Sequence, residues 1–281
     1  MIVFVNGQFV PEEQAVVSVF DRSFLYGDGL FETMRIFKGR PFRWQQHMER
    51  LQGGAEFLKI VTPFSSDALR AFAEQLISAN QMPESLLRLT LSRGIGRRGY
   101  SPKGADRPSL IMSLHPAPDT SPSAPPCWRL KTASVRLPAG ELLAQFKTCN
   151  KLAQVLARAE ADLAGADEAL LLNTDGHVVE ASSSNLFWIE DNTVCTPPLA
   201  SGILAGVTRV VVLEICASQG VAVRETNVAP DGLRQSQGIF LSLSSVGIAE
   251  GVSLDGHALA QSSLVQKLRT AYWDLAATES R

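Results

Sequence analysis

The sequence lacks paired cysteines, a long apolar run and a strong excess of charge of either sign. Its four cysteines form no C-x-x-C pair, which argues against a zinc site or a disulfide framework and favours a reducing compartment. The histidines are equally dispersed, whereas metal ligands usually have closer spacing. The net charge of −2 gives no reason to expect nucleic acid or an anionic membrane surface as partner. We therefore expect a cytoplasmic protein with no metal, no nucleic-acid partner and no membrane partner.

The composition is that of a globular protein. With 281 residues, 45% hydrophobic and 19% charged, the chain can form one large domain or two ordinary ones. The first ten residues, MIVFVNGQFV, lack the basic start and small-residue cleavage site of a signal peptide. They predict instead a strand, a turn at Asn6-Gly7 and a second strand.

Proline and small polar residues concentrate in the stretch PAPDTSPSAPP, residues 116–126. This composition is typical of a linker. Strand-like and helix-like patterns alternate on both sides of it, in residues 1–115 and again in residues 127–281. We therefore predict an α+β fold with two mixed α/β domains joined by a Pro/Ser-rich linker.

Two stretches give more local predictions. In RPFRWQQHMERLQGGAEFL, the spacing predicts a helix with Met48, Leu51 and Phe57 on one broad face. The segment EALLLNTDGHVVEASSSNLFWIEDNTVCTPP predicts three short strands joined by turns at Asp175-Gly176 and Asp191-Asn192.

The stretch ASGILAGVTRVVVLE predicts a glycine loop that runs into a helix. Unsatisfied N–H groups at Val207 and Thr208, the positive end of the helix dipole and the threonine hydroxyl would together suit a phosphate. The alternative is an ordinary helix start, which is the commoner meaning of such a pattern. There is no GxGxxG fingerprint and no P-loop lysine, so nucleotide binding is disfavoured.

Four other residues have both an ordinary and a functional interpretation. Lys147, just ahead of a predicted helix, is either a surface charge or a buried amine that reacts with a carbonyl compound. Glu180 is either an exposed strand residue or a carboxylate that keeps a cofactor ring nitrogen protonated. Arg50 is either solvated on its helix or a bidentate phosphate ligand. Tyr26, in FLYGDG, lies beside glycines that a bulge explains, or it belongs to an active site.

A basic, glycine-rich loop follows a predicted strand. The stretch SRGIGRRGYSPKG contains Arg93, Arg97, Arg98 and Lys103. It is either the tip of a hairpin or a loop that recognises a carboxylate-bearing substrate. Tyr100 is the one aromatic residue in it, which weakens a nucleic-acid interpretation.

In this order, the motifs resemble those of the fold-type IV pyridoxal-phosphate enzymes. That family contains branched-chain and D-amino acid transaminases and 4-amino-4-deoxychorismate lyase. The resemblance runs from FVNGQFV through DRSFLYGDGLFETMRIFKGRPF, HMERL, KTCN and DEALLLNTDGHVVEASSSNLFWI to TPPLASGILAGVTR. It implies a fold like that of D-amino acid aminotransferase, pyridoxal 5'-phosphate as cofactor and a small-molecule amino substrate. It also implies a homodimer with the active site at the subunit interface.

The resemblance further implies roles for individual residues. Lys147 matches the lysine that forms the Schiff base with the cofactor, and Glu180 matches the glutamate at the pyridine nitrogen. Arg50 matches the arginine that holds the phosphate. Three residues would complete the phosphate cup: Val207, Thr208 and Ser244.

Within the family, two features are most similar to the lyases. Lys151 stands where many branched-chain transaminases have a tyrosine, and SRGIGRRGYS lacks the arginine-lysine-histidine signature of D-amino acid transaminases. The resemblance therefore favours an aminodeoxychorismate lyase that forms 4-aminobenzoate and pyruvate for folate biosynthesis, with Tyr26, Arg97 and Arg98 at the substrate.

Two other functions are alternatives to the lyase. One is a class IV aminotransferase that acts on branched-chain or D-amino acids, which differs from a lyase in a few loop residues. The other is a binding or scaffold protein that has lost its cofactor. The presence of both Lys147 and Glu180 argues against the second alternative.

Overall fold

The computed structural model describes residues 1–120 and 125–279, in which helices and strands mix as the α+β prediction requires. One compact unit contains Met1–Ala117, Phe146–Lys151 and the C-terminal residues from Ala276 on, and the other contains Pro118–Gln145 and Leu152–Leu275. Residues 121–124 of the predicted linker lie outside the described residues. The domain limits 1–115 and 127–281 stay a prediction.

The first unit contains a six-stranded antiparallel sheet with the strand order β2-β1-β6-β5-β3-β4. The hairpin β1–β2 turns at Asn6-Gly7, as the sequence predicted. The elements are β1 (Ile2–Val5), β2 (Gln8–Pro11), α1 (Arg22–Tyr26), β3 (Gly29–Phe37), β4 (Arg40–Pro41), α2 (Trp44–Leu58), α3 (Ser66–Asn80), β5 (Ser85–Ser92) and β6 (Ser109–Pro116).

The core of the first unit lies between this sheet and helices α2 and α3. Met48 and Leu51 of α2 are buried in it, as predicted. The third residue of that predicted face, Phe57, is 42% exposed and stacks on Phe146, so its place on the face is wrong. At about 100° per residue, nine positions after Met48 lead to the opposite side of the helix.

The second unit contains a larger sheet. Its elements are β7 (Cys127–Leu137), α4 (Leu152–Leu163), β8 (Glu168–Asn173), β9 (Val178–Ala181), β10 (Asn185–Glu190), β11 (Thr193–Thr196), α5 (Val207–Ser218), β12 (Val223–Glu225), α6 (Pro230–Arg234), β13 (Ile239–Leu243), β14 (Gly247–Leu254) and β15 (His257–Ala258). The chain ends in α7 (Ser263–Glu279).

Strand pairing in this sheet closes on itself. The order is β12-β11-β10-β13-β14-β7-β8-β9, and β9 pairs in turn with β10. The pair that closes the ring is Glu180 opposite Asn185. Both faces of β8 are buried, with Leu170 and Leu172 in one apolar cluster and Leu171 in another.

The segment predicted as three strands forms four, because its middle strand is interrupted at the serines 182–184. The Ser182 N–H donates to the Ala169 carbonyl, and the Ser182 and Ser183 hydroxyls donate to the Glu168 carboxylate. The Ala169 N–H in turn donates to the Glu168 carboxylate rather than to β9, so β9 ends at Ala181 and β10 begins at Asn185. Throughout residues 1–120 and 125–279, none of the helices combines the length and the apolar character that crossing a membrane requires.

Candidate active site

Lys147 lies in an irregular segment that is fixed to β3 by backbone hydrogen bonds. The Phe31 N–H donates to the Lys147 carbonyl over 2.9 Å, and the Cys149 N–H donates to the Gly29 carbonyl over 2.8 Å. The Lys147 ammonium nitrogen lies 4.7 Å from the centre of the Phe31 ring. The Lys147 backbone is therefore fixed to the sheet, and its side-chain nitrogen lies beside an aromatic ring.

Arg50 is not the solvated helical arginine of the ordinary interpretation. Its Nε donates to Oε1 of Glu32 over 2.8 Å and its Nη2 donates to Oε2 over 2.6 Å. Nδ1 of His47 lies 2.7 Å from the same Oε2. Because a carboxylate can only accept, the His47 ring donates through Nδ1–H. Glu32 therefore orients both side chains.

The charges of this cluster, Glu32–His47–Arg50, follow from its burial. Burial alone would raise the pKa of Glu32, but the charge and hydrogen bonds of Arg50 and the hydrogen bond of His47 outweigh it and lower the pKa to about 2. Burial lowers the pKa of His47 despite its contact with the carboxylate. At neutral pH, the cluster is thus an arginine–glutamate ion pair beside a neutral imidazole.

The sequence analysis missed Glu32 and His47, although the sequence contains a signal for Glu32. In β3, Leu30, Glu32, Met34 and Ile36 alternate with the other face and are all buried. A carboxylate within an apolar face that repeats every two residues needs a buried cationic partner. The signal names no partner, because Arg50 lies on a different element.

A third missed residue is Arg88 of β5. Its guanidinium carbon lies 4.1 Å from the centre of the Phe31 ring, the ring that Lys147 also contacts. Burial lowers the pKa of Arg88. Its guanidinium forms no ion pair or hydrogen bond with the part of the chain that the structure describes. Arg88 is therefore a partly buried cation that a ligand carboxylate could neutralise.

The predicted substrate residues Tyr26, Arg97 and Arg98 lie around one loop. The Tyr26 hydroxyl accepts from the Gly99 N–H over 3.1 Å. Arg97 and Arg98 are exposed, and neither has an ion pair or hydrogen bond with any residue in the described ranges. The structure thus brings Tyr26 to the loop that carries both arginines.

In the second unit, Glu180 and Asn185 face each other on neighbouring strands, and both bind the backbone of Leu204. The Leu204 N–H donates to Oε2 of Glu180 over 3.0 Å, and Nδ2 of Asn185 donates to the Leu204 carbonyl over 2.8 Å. Across β10, Asn185 also pairs with Ser242, whose buried hydroxyl has no hydrogen-bond partner within residues 1–120 and 125–279. The loop that precedes α5 is therefore held by the pair that closes the strand ring.

Helix α5 begins at Val207 with Gly206 as its N-cap, and no side chain caps it. A Cβ atom at Gly206 would collide with Oδ1 of Asn185, so this position requires glycine. The Thr208 side chain is buried in the first turn. Ser244 lies half-buried in the turn between β13 and β14. An uncapped helix start with a hydroxyl in its first turn suits a phosphate, as the sequence predicted.

Each unit, taken by itself, offers groups of the kind that a phosphorylated pyridine aldehyde would take. Lys147 of the first unit is an amine that can react with an aldehyde, and Glu180 of the second is a carboxylate that could face a protonated ring nitrogen. The uncapped start of α5 offers N–H groups to phosphate oxygens, and the orphaned Ser242 hydroxyl beside Asn185 marks a polar position that a ligand can satisfy.

Comparisons with known proteins agree with this fit. The family model described as amino-transferase class IV matches residues 29–254. A putative branched-chain-amino-acid aminotransferase of Methanocaldococcus jannaschii is 32% identical over 279 residues, which are 98% of this chain and 96% of that protein. The crystal structure of 4-amino-4-deoxychorismate lyase from Pseudomonas aeruginosa is 34% identical, with a TM-score of 0.84 over 97% of this chain and 98% of that one.

A further solved structure contains a form of the cofactor. A branched-chain amino acid aminotransferase from T.th., crystallised with pyridoxamine 5'-phosphate, is 27% identical, with a TM-score of 0.92 over 100% of this chain and 95% of that one. The family match covers most of the chain. The chain belongs to the amino-transferase class IV family and is a pyridoxal-phosphate-dependent enzyme.

Proposed function

We propose that the enzyme is a 4-amino-4-deoxychorismate lyase, which forms 4-aminobenzoate and pyruvate. The observation that carries the proposal is a set of cations without carboxylate partners in the described chain: Arg88, Arg97 and Arg98. The substrate has two carboxylates, and arginine binds a carboxylate bidentately. The similarity to the P. aeruginosa lyase over 97% of the chain adds support.

When bound, pyridoxal 5'-phosphate supplies an aldehyde for the substrate amine and a ring that delocalises the electrons of a neighbouring carbanion. The Lys147 amine takes the proton from the substrate carbon that bears the nitrogen. Loss of this proton and departure of the enolpyruvyl oxygen make the substrate ring aromatic. Lys147 then returns the proton to the departing group. Glu180 holds a proton at the pyridine nitrogen.

Arg50, the N–H groups of Val207 and Thr208, and the Ser244 hydroxyl would hold the phosphate of the cofactor. Glu32 takes two of the five N–H donors of Arg50 and fixes the plane of the guanidinium, so a phosphate can bind to it beside the carboxylate. Arg97 and Arg98 bind a substrate carboxylate, and Tyr26 supports them through Gly99.

A second candidate function is a class IV aminotransferase for branched-chain or D-amino acids. The similarity to the M. jannaschii protein over 98% of the chain favours it. The two reactions differ in one requirement, because transamination needs a 2-oxo acid to accept the amino group and the lyase reaction does not.

A coupled assay distinguishes them. Aminodeoxychorismate is generated in place and offered without any 2-oxo acid, and 4-aminobenzoate and pyruvate are followed. We expect both products in equal amounts. If products form only after 2-oxoglutarate is added, or if amino acids alone are converted, the enzyme is an aminotransferase and the lyase proposal is wrong.

We also propose a homodimer, as the family resemblance implies. A surface of the first unit exposes large apolar side chains at Val16, Phe20, Phe24, Ile95 and Tyr100, with exposed fractions from 55% to 87%. Apolar side chains that cluster on a surface typically mark an interface between proteins. A second copy of the chain is the partner that an active site shared between subunits requires.

The variant Phe24→Lys tests this surface. We expect light scattering after size exclusion to give a dimer for the wild type and a monomer for the variant, since a charge in an apolar interface is costly. Val61→Lys replaces an equally exposed side chain outside the surface and serves as the matched control. A monomeric wild type, or a Phe24→Lys variant that stays dimeric, contradicts the proposal.

The proposed location is the cytoplasm. The four cysteines are free in the structure, and Cys195 and Cys216 are buried. Burial raises the pKa of the Cys216 thiol to about 11, which keeps it protonated and unreactive. Free thiols of this kind suit a reducing compartment.

A further inference from the structure

One guanidinium holds the backbone of the loop that carries Arg97 and Arg98. Arg22, on the short helix α1, is only 3% exposed. Its Nη1 donates to the carbonyls of Gly99 and Ser101 over 2.9 and 3.2 Å, and its Nη2 donates to the Tyr100 carbonyl over 3.0 Å. Three successive carbonyls therefore turn inward onto one cation.

This guanidinium is itself fixed from the other side. The Arg22 Nε donates to Oδ2 of Asp28 over 2.7 Å, and Arg93 donates to both oxygens of the same carboxylate. Burial alone would raise the pKa of Asp28, but hydrogen bonds from Arg93 and Arg22 outweigh it and lower the pKa. Arg93 also donates to the carbonyls of Leu58 and Lys59, at the end of α2. Arg22 is thus anchored to the rest of the first unit.

Two further features adapt the loop to Arg22. The Tyr26 hydroxyl accepts from the Gly99 N–H, and the Tyr26 ring lies 5.0 Å from the Arg22 guanidinium carbon. At Gly96, a Cβ atom would come within 2.8 Å of Cδ of Arg22, so glycine leaves room for the arginine side chain. We call Arg22, Tyr26 and Asp28 with the three carbonyls the loop clamp.

The loop clamp leaves the side chains of Arg97 and Arg98 exposed while it fixes the backbone directly after them. We propose that Arg22 is a positioning residue, which holds Gly99–Ser101 so that Arg98 is oriented to bind a substrate carboxylate. The inference rests on the proposed function in one respect, that Arg98 binds substrate. Arg22 contacts no substrate. Because Arg22 orders the loop before substrate binds, substrate binding does not have to offset the entropy cost of ordering it.

A kinetic double-mutant cycle tests the coupling between the two arginines. In Arg22→Lys, a compact ammonium keeps the charge but cannot reach three carbonyls and Asp28 together. We expect KM to rise about tenfold with kcat and cofactor absorbance unchanged, which is roughly the cost of ordering a freed side chain. In Arg98→Ala, the added Arg22→Lys should have no further effect. Independent, multiplying effects would overturn the proposal, as would a fall in kcat alone.

Trypsin tests the loop clamp without any substrate. Arg97 and Arg98 are cleavage sites, and Arg22→Lys creates no new one, since trypsin cleaves after either residue. We expect cleavage after Arg97 and Arg98 to be about tenfold faster in Arg22→Lys, and to a smaller extent in Tyr26→Phe, which loses only the hydroxyl. Cleavage after the exposed Arg70 of α3 is the internal control for global unfolding.

The two experiments separate this inference from the proposed function. If the wild type turns over neither aminodeoxychorismate nor amino acids, the proposed function fails and the tryptic rates decide the inference. Cleavage at Arg97 and Arg98 that is unchanged, or that rises only in step with cleavage at Arg70, overturns it. Faster cleavage confined to the loop supports it.

Discussion

In the first unit, the polar part of the candidate site consists of side-chain charges. The Glu32 carboxylate accepts hydrogen bonds from Arg50 and His47, and the Lys147 side-chain nitrogen lies beside the Phe31 ring. In the second unit, most of the polar contacts are made by backbone groups. Glu180 accepts from the Leu204 N–H, and α5 begins with uncapped amides behind Gly206.

This difference indicates which substitutions should be most damaging in each unit. A buried ion pair is costly to break, because the remaining partner stays uncompensated. A backbone N–H, in contrast, is present whatever the side chain, so a backbone site depends on local geometry and on the room that glycine leaves. We expect substitutions in the buried ion pairs of the first unit to lower stability, and substitutions that disturb the backbone at the start of α5 to weaken cofactor binding.

The largest effect is expected at Lys147, the lysine proposed to react with the cofactor. We expect Lys147→Ala to lower the rate of turnover by about 10⁴-fold, since it removes both the amine for the cofactor and the general base. Lys267→Ala, at an exposed lysine of α7, is the matched control and should keep wild-type turnover. Measured rates that fall equally in both variants would show that Lys147 has no special role.

The next largest effects distinguish Glu32 from Glu180, one in stability and the other in turnover. Glu32→Gln should lower the free energy of unfolding by about 3 kcal/mol, because Arg50 loses its buried carboxylate. Glu180→Gln keeps an oxygen acceptor for the Leu204 N–H, so its stability should change by less than about 1 kcal/mol. Its turnover should nevertheless fall about 10²-fold. Urea unfolding and the lyase assay measure both quantities, and equal destabilisation would break the comparison.

A smaller effect is expected at the start of α5. In Gly206→Ala, the added methyl group collides with Oδ1 of Asn185 and displaces the first turn of the helix, at a cost of about 1–3 kcal/mol. We expect weaker cofactor binding, measured by titration of the cofactor-free enzyme. Gly220→Ala, at the far end of α5, is the control for a general loss of stability, since its φ of +68° disfavours alanine while the added Cβ meets open space. Cofactor affinity that is the same in both variants contradicts a phosphate site at α5.

The smallest expected effect is a loss of stability at acid pH. The pKa of His47 lies below its ordinary value of 6.5 in the folded enzyme, so the unfolded chain takes up this proton first as the pH falls. This contribution to stability is complete above about pH 6.5 and is lost below it, by at most about 1.4 kcal/mol per pH unit. The pKa of Glu32, about 2 against an ordinary 4.5, adds a further loss between those two values.

His47→Asn tests the first of these terms, because an amide still donates to Glu32 and does not titrate. We expect the apparent free energy of unfolding, measured in urea at pH 7.5, 6.0 and 5.0, to fall less steeply in the variant. An identical slope in both proteins would mean that His47 does not contribute.

The class of fold and the cofactor could be predicted from the sequence, the fold from local pattern and the cofactor from the resemblance of the ordered motifs to a known family, while the catalytic candidates stay predictions. Lys147 and Glu180 stand in motifs, and Gly206 and Thr208 mark a helix start. The Glu32–His47–Arg50 cluster could be predicted only in part, since the strand pattern shows that Glu32 needs a partner and does not show which. Arg88 gave no signal, because an arginine on the half-exposed face of a strand is ordinary.

The contacts of Arg22 could not be predicted at all. Its acceptors are the carbonyls of Gly99, Tyr100 and Ser101. Because every residue has a backbone carbonyl, the sequence does not show which of them accept a hydrogen bond. The interruption at the serines 182–184 was missed for a related reason, since it depends on Glu168, which lies on another strand.

The loop clamp has a consequence for how such an enzyme diverges. Every residue has a carbonyl oxygen, so Arg22 holds the loop by atoms that most substitutions leave in place. The side chains at positions 97 and 98 can then be exchanged without loosening the backbone that presents them. A descendant of this chain could therefore change the amine that it accepts through two exposed positions, while the core, the cofactor residues and the shape of the loop stay inherited.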